Sequence, residues 1–261
     1  MPLLIPREHG AYGQLGFPML TALAAGHPSV AALLLIVAAA AAFVGHEPLF
    51  VLMGHRGPRA KRERFADALR LLWLTGVSAI AGGAAGVWLL PPALRWTAAV
   101  PAALALAAAP LIAWRAHKQV GGEVYLAVTL SSTALPVGVA AGLRSQDAVL
   151  CAVVFAAGFA AATLAVRGTI AVQRREPSTA LRVGAVALAL AHPFFAVLAA
   201  SRLSIESLSW TAALPLSLLA ISLAVAPPPG RHLYRIGWGL TAAAVCTGAV
   251  LVVLLRGVLG V

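Results

Sequence analysis

Two Glu/His pairs stand where apolar chain meets polar chain: Glu8 and His9 in the opening PREHGAYGQLGFPML, and His46 and Glu47 in VGHEPLFVLMGHRGPRAKRER, Val44 to Arg64. Imidazole and carboxylate are the donor set for zinc, manganese or iron, and a carboxylate beside magnesium is a common partner of phosphate. The same groups serve proton transfer, with a carboxylate fixing a histidine tautomer. Spacing does not choose between these uses. Glu8, His9, His46 and Glu47 are therefore both the candidate catalytic residues and the candidate ligands of one divalent cation, magnesium or another. Directly after them comes the densest positive run of the chain, with Arg56, Arg59, Lys61, Arg62 and Arg64 beside His55. Such a cluster attracts an anion and grips phosphate oxygens through paired N–H donors. His55, Arg56, Arg59 and Arg62, with Arg167 from a later basic run, are the candidate phosphate-binding residues.

The elements that position these groups are set by composition. With 61% apolar and 10% charged residues and a mean hydropathy of +0.92, a water-soluble domain would have almost no polar surface to show. The chain reads as an all-α polytopic membrane bundle, a single domain over residues 1–261. Arg7, Glu8 and His9 precede a polar-flecked segment with no small-residue cleavage pattern, so the start is read as retained and not as a signal peptide. A net charge of +11 invites a nucleic-acid reading, but the basic residues sit between apolar segments, where topology and anionic headgroups account for them. Nucleic acid is excluded, and the partners expected are membrane lipids. Cys151 and Cys246 both fall inside apolar segments and read as small buried hydrophobes.

Apolar runs bounded by Pro, Gly and charge give about nine spans. They are Gly10 to Gly26, Val30 to Met53, Ala68 to Leu90, Thr97 to Trp114, Tyr125 to Leu143, Val149 to Gly168, Val183 to Ala200, Leu208 to Ala226 and Ile236 to Leu255. Placing the N-terminus in the cytoplasm leaves only Arg95, Arg144, Arg202 and Arg256 outside, of 19 Lys and Arg. That asymmetry predicts the N-terminus in the cytoplasm and the C-terminus outside. Trp88, Trp96 and Trp210 then fall at outer ends and Trp73, Trp114 and Trp238 at inner ends, as an aromatic belt requires.

In this frame the first two spans form a hairpin turning at His27 and Pro28, with His9 and His46 each about 18 residues from the turn and so level, roughly 27 Å away. The short connection predicts that the two helices are neighbours and that the four acidic and imidazole groups meet. Tyr12 and Gln14 would line the same cavity. His192, before Pro193 in the seventh span, either bonds a freed carbonyl or lines a cavity. Thr129, Ser131, Ser132 and Thr133, just before Pro136, form a stripe that must face protein or enclosed water, as a transporter would also use it. Gly82 with Gly86, and Gly138 with Gly142, are places for close helix approach.

The run Pro6, Arg7, Glu8, His9, Gly10, Ala11, Tyr12, followed one span later by GHEPLFVLMGHRGPR, resembles the YwiC-like family of bacterial integral membrane proteins, whose biochemical role is not established. The architecture is also distantly similar to the UbiA superfamily of membrane prenyltransferases, which have nine helices and two acidic motifs bridged by magnesium to a prenyl diphosphate. That likeness puts His46 at the motif's Asn, Glu47 at its first Asp, and Phe50 and Gly54 at the next two, with Gly158 and Ala162 at the acids of the second motif. One acid is retained. The resemblance implies a UbiA-like arrangement holding an isoprenoid or lipid phosphate at a cytoplasm-facing cavity, as a membrane transferase with degenerate metal motifs. A transporter and a non-catalytic assembly protein are the alternatives.

Overall fold

A computed structural model of the chain describes residues 4, 9–200, 210–229 and 232–259. Arg7, Glu8, Arg202 and Arg231 lie outside these residues, and of His9 only the backbone is described. The described chain is helical: α1 His9–Ala25, α2 Val30–Leu52, α3 Pro58–Trp88, α4 Trp96–Ala113, α5 Val120–Ser131, α6 Ala134–Ala140, α7 Ser145–Gln173, α8 Thr179–Ala200, α9 Leu214–Val225 and α10 Leu233–Leu259. Short 3-10 turns at Pro92–Leu94, Ala116–Lys118 and Trp210–Ala213 join some of them.

Among the described residues, seven helical stretches are long and apolar enough to cross a membrane. They correspond to α2, α3, α4 with its preceding turn, α5 with α6, α7, α8 and α10. The first and eighth expected spans are shorter: α1 has 17 residues and Trp210–Val225 is a short apolar helix. The chain is thus an all-helical polytopic membrane bundle. Its centre is α7 with α5 and α6, whereas α3 and α4 are largely exposed to the surroundings. The α7 face consists mainly of Ala and Gly, because without a hydrophobic drive in lipid, close backbone approach carries the packing. The same logic holds α2 to α3, where Gly82 lies against the Leu34 carbonyl and Ala38, and Gly86 against Leu35 and Ala31.

All six tryptophans are exposed; five lie at or near helix ends, while Trp73 falls midway along α3. Cys151 is buried as expected, but Cys246 is exposed on the outward face of α10, since an apolar segment in a membrane protein need not face its core.

The expected close hairpin of α1 and α2 is not what forms. The His27 N–H donates to the Ala141 carbonyl (2.7 Å) and the Ser29 hydroxyl to that of Ala140 (2.6 Å), so the turn wraps the end of α6. Packed against both helices there, α6 splays them: α1 lies chiefly on α10 and α6, and α2 on α3. At the opposite ends the two helices come back together, Tyr12 meeting Phe43 edge-on at 5.0 Å between ring centroids.

Three of the four stripe hydroxyls are satisfied within the helix, while that of Ser131 is buried with no hydrogen-bond partner among the described residues. Thr129 donates to Tyr125, Ser132 to Thr129 and Thr133 to Leu130, each to a main-chain carbonyl one turn back. Pro136 has no N–H for the Ser132 carbonyl, which accepts from Leu135 instead (3.0 Å), and the helix tightens there between α5 and α6.

Candidate functional site

The site is built on the end of α2. Gly54, at φ 79°, occupies the left-handed position that closes a Schellman motif: its N–H bonds the Val51 carbonyl (3.0 Å), and the His55 N–H that of Phe50 (2.9 Å). Gly57, at φ 96°, then turns the chain into α3, with Pro58 at its first position. This doubling back places the two residues between the glycines over the helix end. Arg56 reaches back to Glu47, donating from Nε to Oε1 (2.8 Å) and from Nη2 to Oε2 (2.5 Å). Glu47 is only 7% exposed, and a buried carboxylate requires such a partner.

The connection from α4 to α5 closes the site from the other side. Arg115 adopts φ 58°, and the turn Ala116–Lys118 packs against the first turn of α5. Gly122 permits this, since a Cβ there would fall within 2.6 Å of the His117 Cα and closer still to the Ala116 carbonyl. Arg167 on α7 fixes the same turn from outside: it forms a two-point ion pair with Glu123 and donates to the Lys118 carbonyl (3.0 Å). His117, 6% exposed, is thereby held against α2.

Rings link the two halves. Phe43 packs on His46 and His46 edge-on to Phe50, both at 5.1 Å, and Phe50 touches His55 at 5.5 Å and His117 at 5.0 Å. Arg56 covers the Phe50 face at 5.7 Å. His55 and His117 stack nearly parallel, at 10° and 6.4 Å between centroids. His46 donates its Nδ1 proton to the Phe43 carbonyl, which leaves Nε2 as the acceptor. Burial holds the His55 imidazole below its ordinary pKa, and Arg115, His117, Lys118 and Arg56 push in the same direction. The corner is therefore rich in positive charge, and its one buried carboxylate among the described residues is already taken by Arg56.

Residues 5–138, half of the chain, match the sequence model of the YwiC-like protein family. The chain belongs to the YwiC-like family. The match covers α1 to α5 and most of α6, and with them every residue of the corner except Arg167. No curated protein and no solved structure matches the chain.

In this YwiC-like chain the sequence-derived candidates separate. His46, Glu47, His55 and Arg56 come together. Arg167 is adjacent but engaged with Glu123, so it positions the His117 turn and is not open to an anion. Arg59 forms an exposed pair with Glu63 (2.7 Å), and Arg62 lies exposed on the surface of α3. Tyr12 belongs to the ring series through Phe43, and Gln14 is half-buried on α1. His9 and His46 each lie one turn beyond the Tyr12–Phe43 contact, toward the same end, while Glu8 falls outside the described residues. His192 is fully buried elsewhere, between α7, α8 and α9, with Nδ1 hydrogen-bonded to the Ser217 hydroxyl (2.9 Å) and its ring against Gly158.

Phe50 and His117 were not among the candidates. Phe50 reads as one more apolar residue, and the RAHK run gives no sign that its histidine turns inward. The signal available was topological, since the positive-inside count already put Arg115 and Lys118 on the side of His55.

The residues do not fit a magnesium-bridged acidic site of the UbiA kind. Among the described residues no three His, Cys, Asp or Glu gather where they would hold one ion. Glu47 is bound by Arg56, and Phe50 takes the place of the next acid as a ring hub. At Gly158, a Cβ would already lie 2.6 Å from Leu216 Cδ1 and 2.9 Å from His192 Cε1, and Ala162 is buried, so neither position has room for a carboxylate.

Proposed function

We propose that this YwiC-like membrane protein binds the phosphate of an anionic lipid or isoprenoid phosphate at the basic end of its bundle, on the cytoplasmic side of a bacterial inner membrane. The bundle in this reading crosses nine times in a UbiA-like order, with α1 and Trp210–Val225 as its two short crossings. The observation that carries the reading is the charge of the corner: Arg56, Arg115 and Lys118 act together on His55, and Glu47 offsets only Arg56. An anion is the ligand that lowers the energy of such a cluster.

Arg115 and Lys118 supply the open donors, both exposed at the rim. Arg56 keeps Glu47 neutralised and covers Phe50. The ring series from Tyr12 to His117 gives an apolar wall against which a lipid chain can leave the phosphate. The reading is of binding, and no bond-making step is assigned to His46 or Glu47.

Mass spectrometry of lipids retained by the purified protein tests it. Native protein is expected to carry anionic or prenyl-phosphate species that an Arg115→Gln/Lys118→Gln double variant loses. Identical lipid content in the two overturns the reading.

A further inference from the structure

We infer that His55 and His117 form a proton-linked subsite for a phosphate group, taking a proton onto the imidazole pair as the group arrives. The inference rests on the proposal that the basic end binds phosphate and adds how that binding is regulated. Both ring nitrogens of His117 and Nδ1 of His55 are buried and have no hydrogen-bond partner among the described residues. Buried imidazoles are ordinarily bonded through at least one nitrogen, so three such atoms in one stacked pair call for a ligand.

The chemistry of that ligand follows from the donors. A neutral imidazole offers one donor and one acceptor, a protonated one two donors. A group with acceptors only satisfies both nitrogens of a ring once the ring is charged. Phosphate is such a group, and its negative charge stabilises the imidazolium it requires. A metal ion fits less well, because nearly parallel rings do not aim their lone pairs at one point.

The surrounding charges agree from every side. Arg56 follows His55 in its loop, bound to Glu47 of α2, with His46 across Phe50. Lys61 of α3 lies beside Gly54. Arg115 and Lys118 flank His117, and behind them Glu123 of α5 is closed by Arg167 of α7. Burial and the nearest cations, Arg115, Lys118 and Arg56, oppose protonation of His55 while no anion is present. An incoming phosphate reverses that balance.

The test is calorimetric titration of the full chain in discs of neutral phosphatidylcholine. Sulfate is the probe, because inorganic phosphate itself titrates in this range, and the titration is run at about pH 5.5, 6.5 and 7.5. Sulfate is expected to bind more tightly as pH falls, approaching about tenfold per pH unit for one proton taken up. His55→Gln and His117→Gln each flatten that dependence, and their melting temperatures report whether they fold. Lys118→Gln, on the exposed rim, weakens binding at every pH and keeps the dependence. Phosphatidic acid in the disc displacing the sulfate assigns the group to a lipid; displacement by soluble phosphate alone assigns it to a free anion. Binding that is independent of pH, or a dependence that survives in both histidine variants, overturns the inference and leaves the basic-end reading standing. Absence of binding by sulfate, phosphate and phosphatidic acid overturns both.

Discussion

Arg56 and Glu47 depend on each other unequally. Glu47 is buried and Arg56 partly open to solvent, so removing the arginine strands a charge while removing the carboxylate frees a group that reaches water. Arg56→Ala is expected to cost roughly 2–3 kcal/mol and Glu47→Gln clearly less, measured by unfolding in detergent. His55 gives a prediction in pH. Its pKa in the folded protein lies below the ordinary 6.5, so between those two values the unfolded chain holds the extra proton and acidification favours unfolding. In anion-free buffer the melting temperature should fall as pH drops below about 6.5 and stay flat above it, and His55→Gln should remove part of the fall. At this scale the sequence pointed to His46, Glu47, His55 and Arg56 through their density. It could not point to His117, whose inward turn depends on the missing side chain of Gly122 and on an arginine from α7.

The elements show the same terminal motif carried out by different residues. Gly54 ends α2, and Arg175, at φ 57°, ends α7 with the equivalent bonds, its N–H to Val172 (3.1 Å) and the Glu176 N–H to Ala171 (2.9 Å). A Cβ in that conformation costs about 1–2 kcal/mol. Gly54→Ala should therefore destabilise by about 1 kcal/mol and Arg175→Gly stabilise by a similar amount, both read from denaturant unfolding. Gly122→Ala is expected to cost roughly 1–3 kcal/mol by overpacking and to displace the His117 turn, visible as altered histidine ring resonances. Helix positions were legible from hydropathy, but lengths were not. α3 begins at Pro58, ten residues before the expected span, because a helix continues through polar sequence once Gly57 and Pro58 have started it. Gly45 faces Thr75 and Gly82 faces Ala38, so the first turns of α3 project about 15 Å past the end of α2 and carry Arg59 and Arg62 away from the corner.

For the whole molecule, orientation is open to direct test. Reporters active on only one side of the membrane, fused after Gly57, Lys118 or Pro228, should give cytoplasmic signal, and those after His27 or Gly142 the opposite. Matching signals at His27 and Gly57 would remove the crossing by α2 and the proposed topology with it. By itself, the sequence determined the membrane class, the helical fold and the end of the bundle where charge collects. Those follow from composition and from the cost of burying unbonded backbone and charge in lipid, which act locally along the chain. Tertiary structure alone decided which groups at that end meet. The wedge of α6 between α1 and α2 separates the expected hairpin, while Gly122 and Arg167 bring His117 to Phe50 and His55. Contacts between residues some sixty positions apart are set by how helices with small-residue faces settle against one another, and no spacing along the chain encodes that.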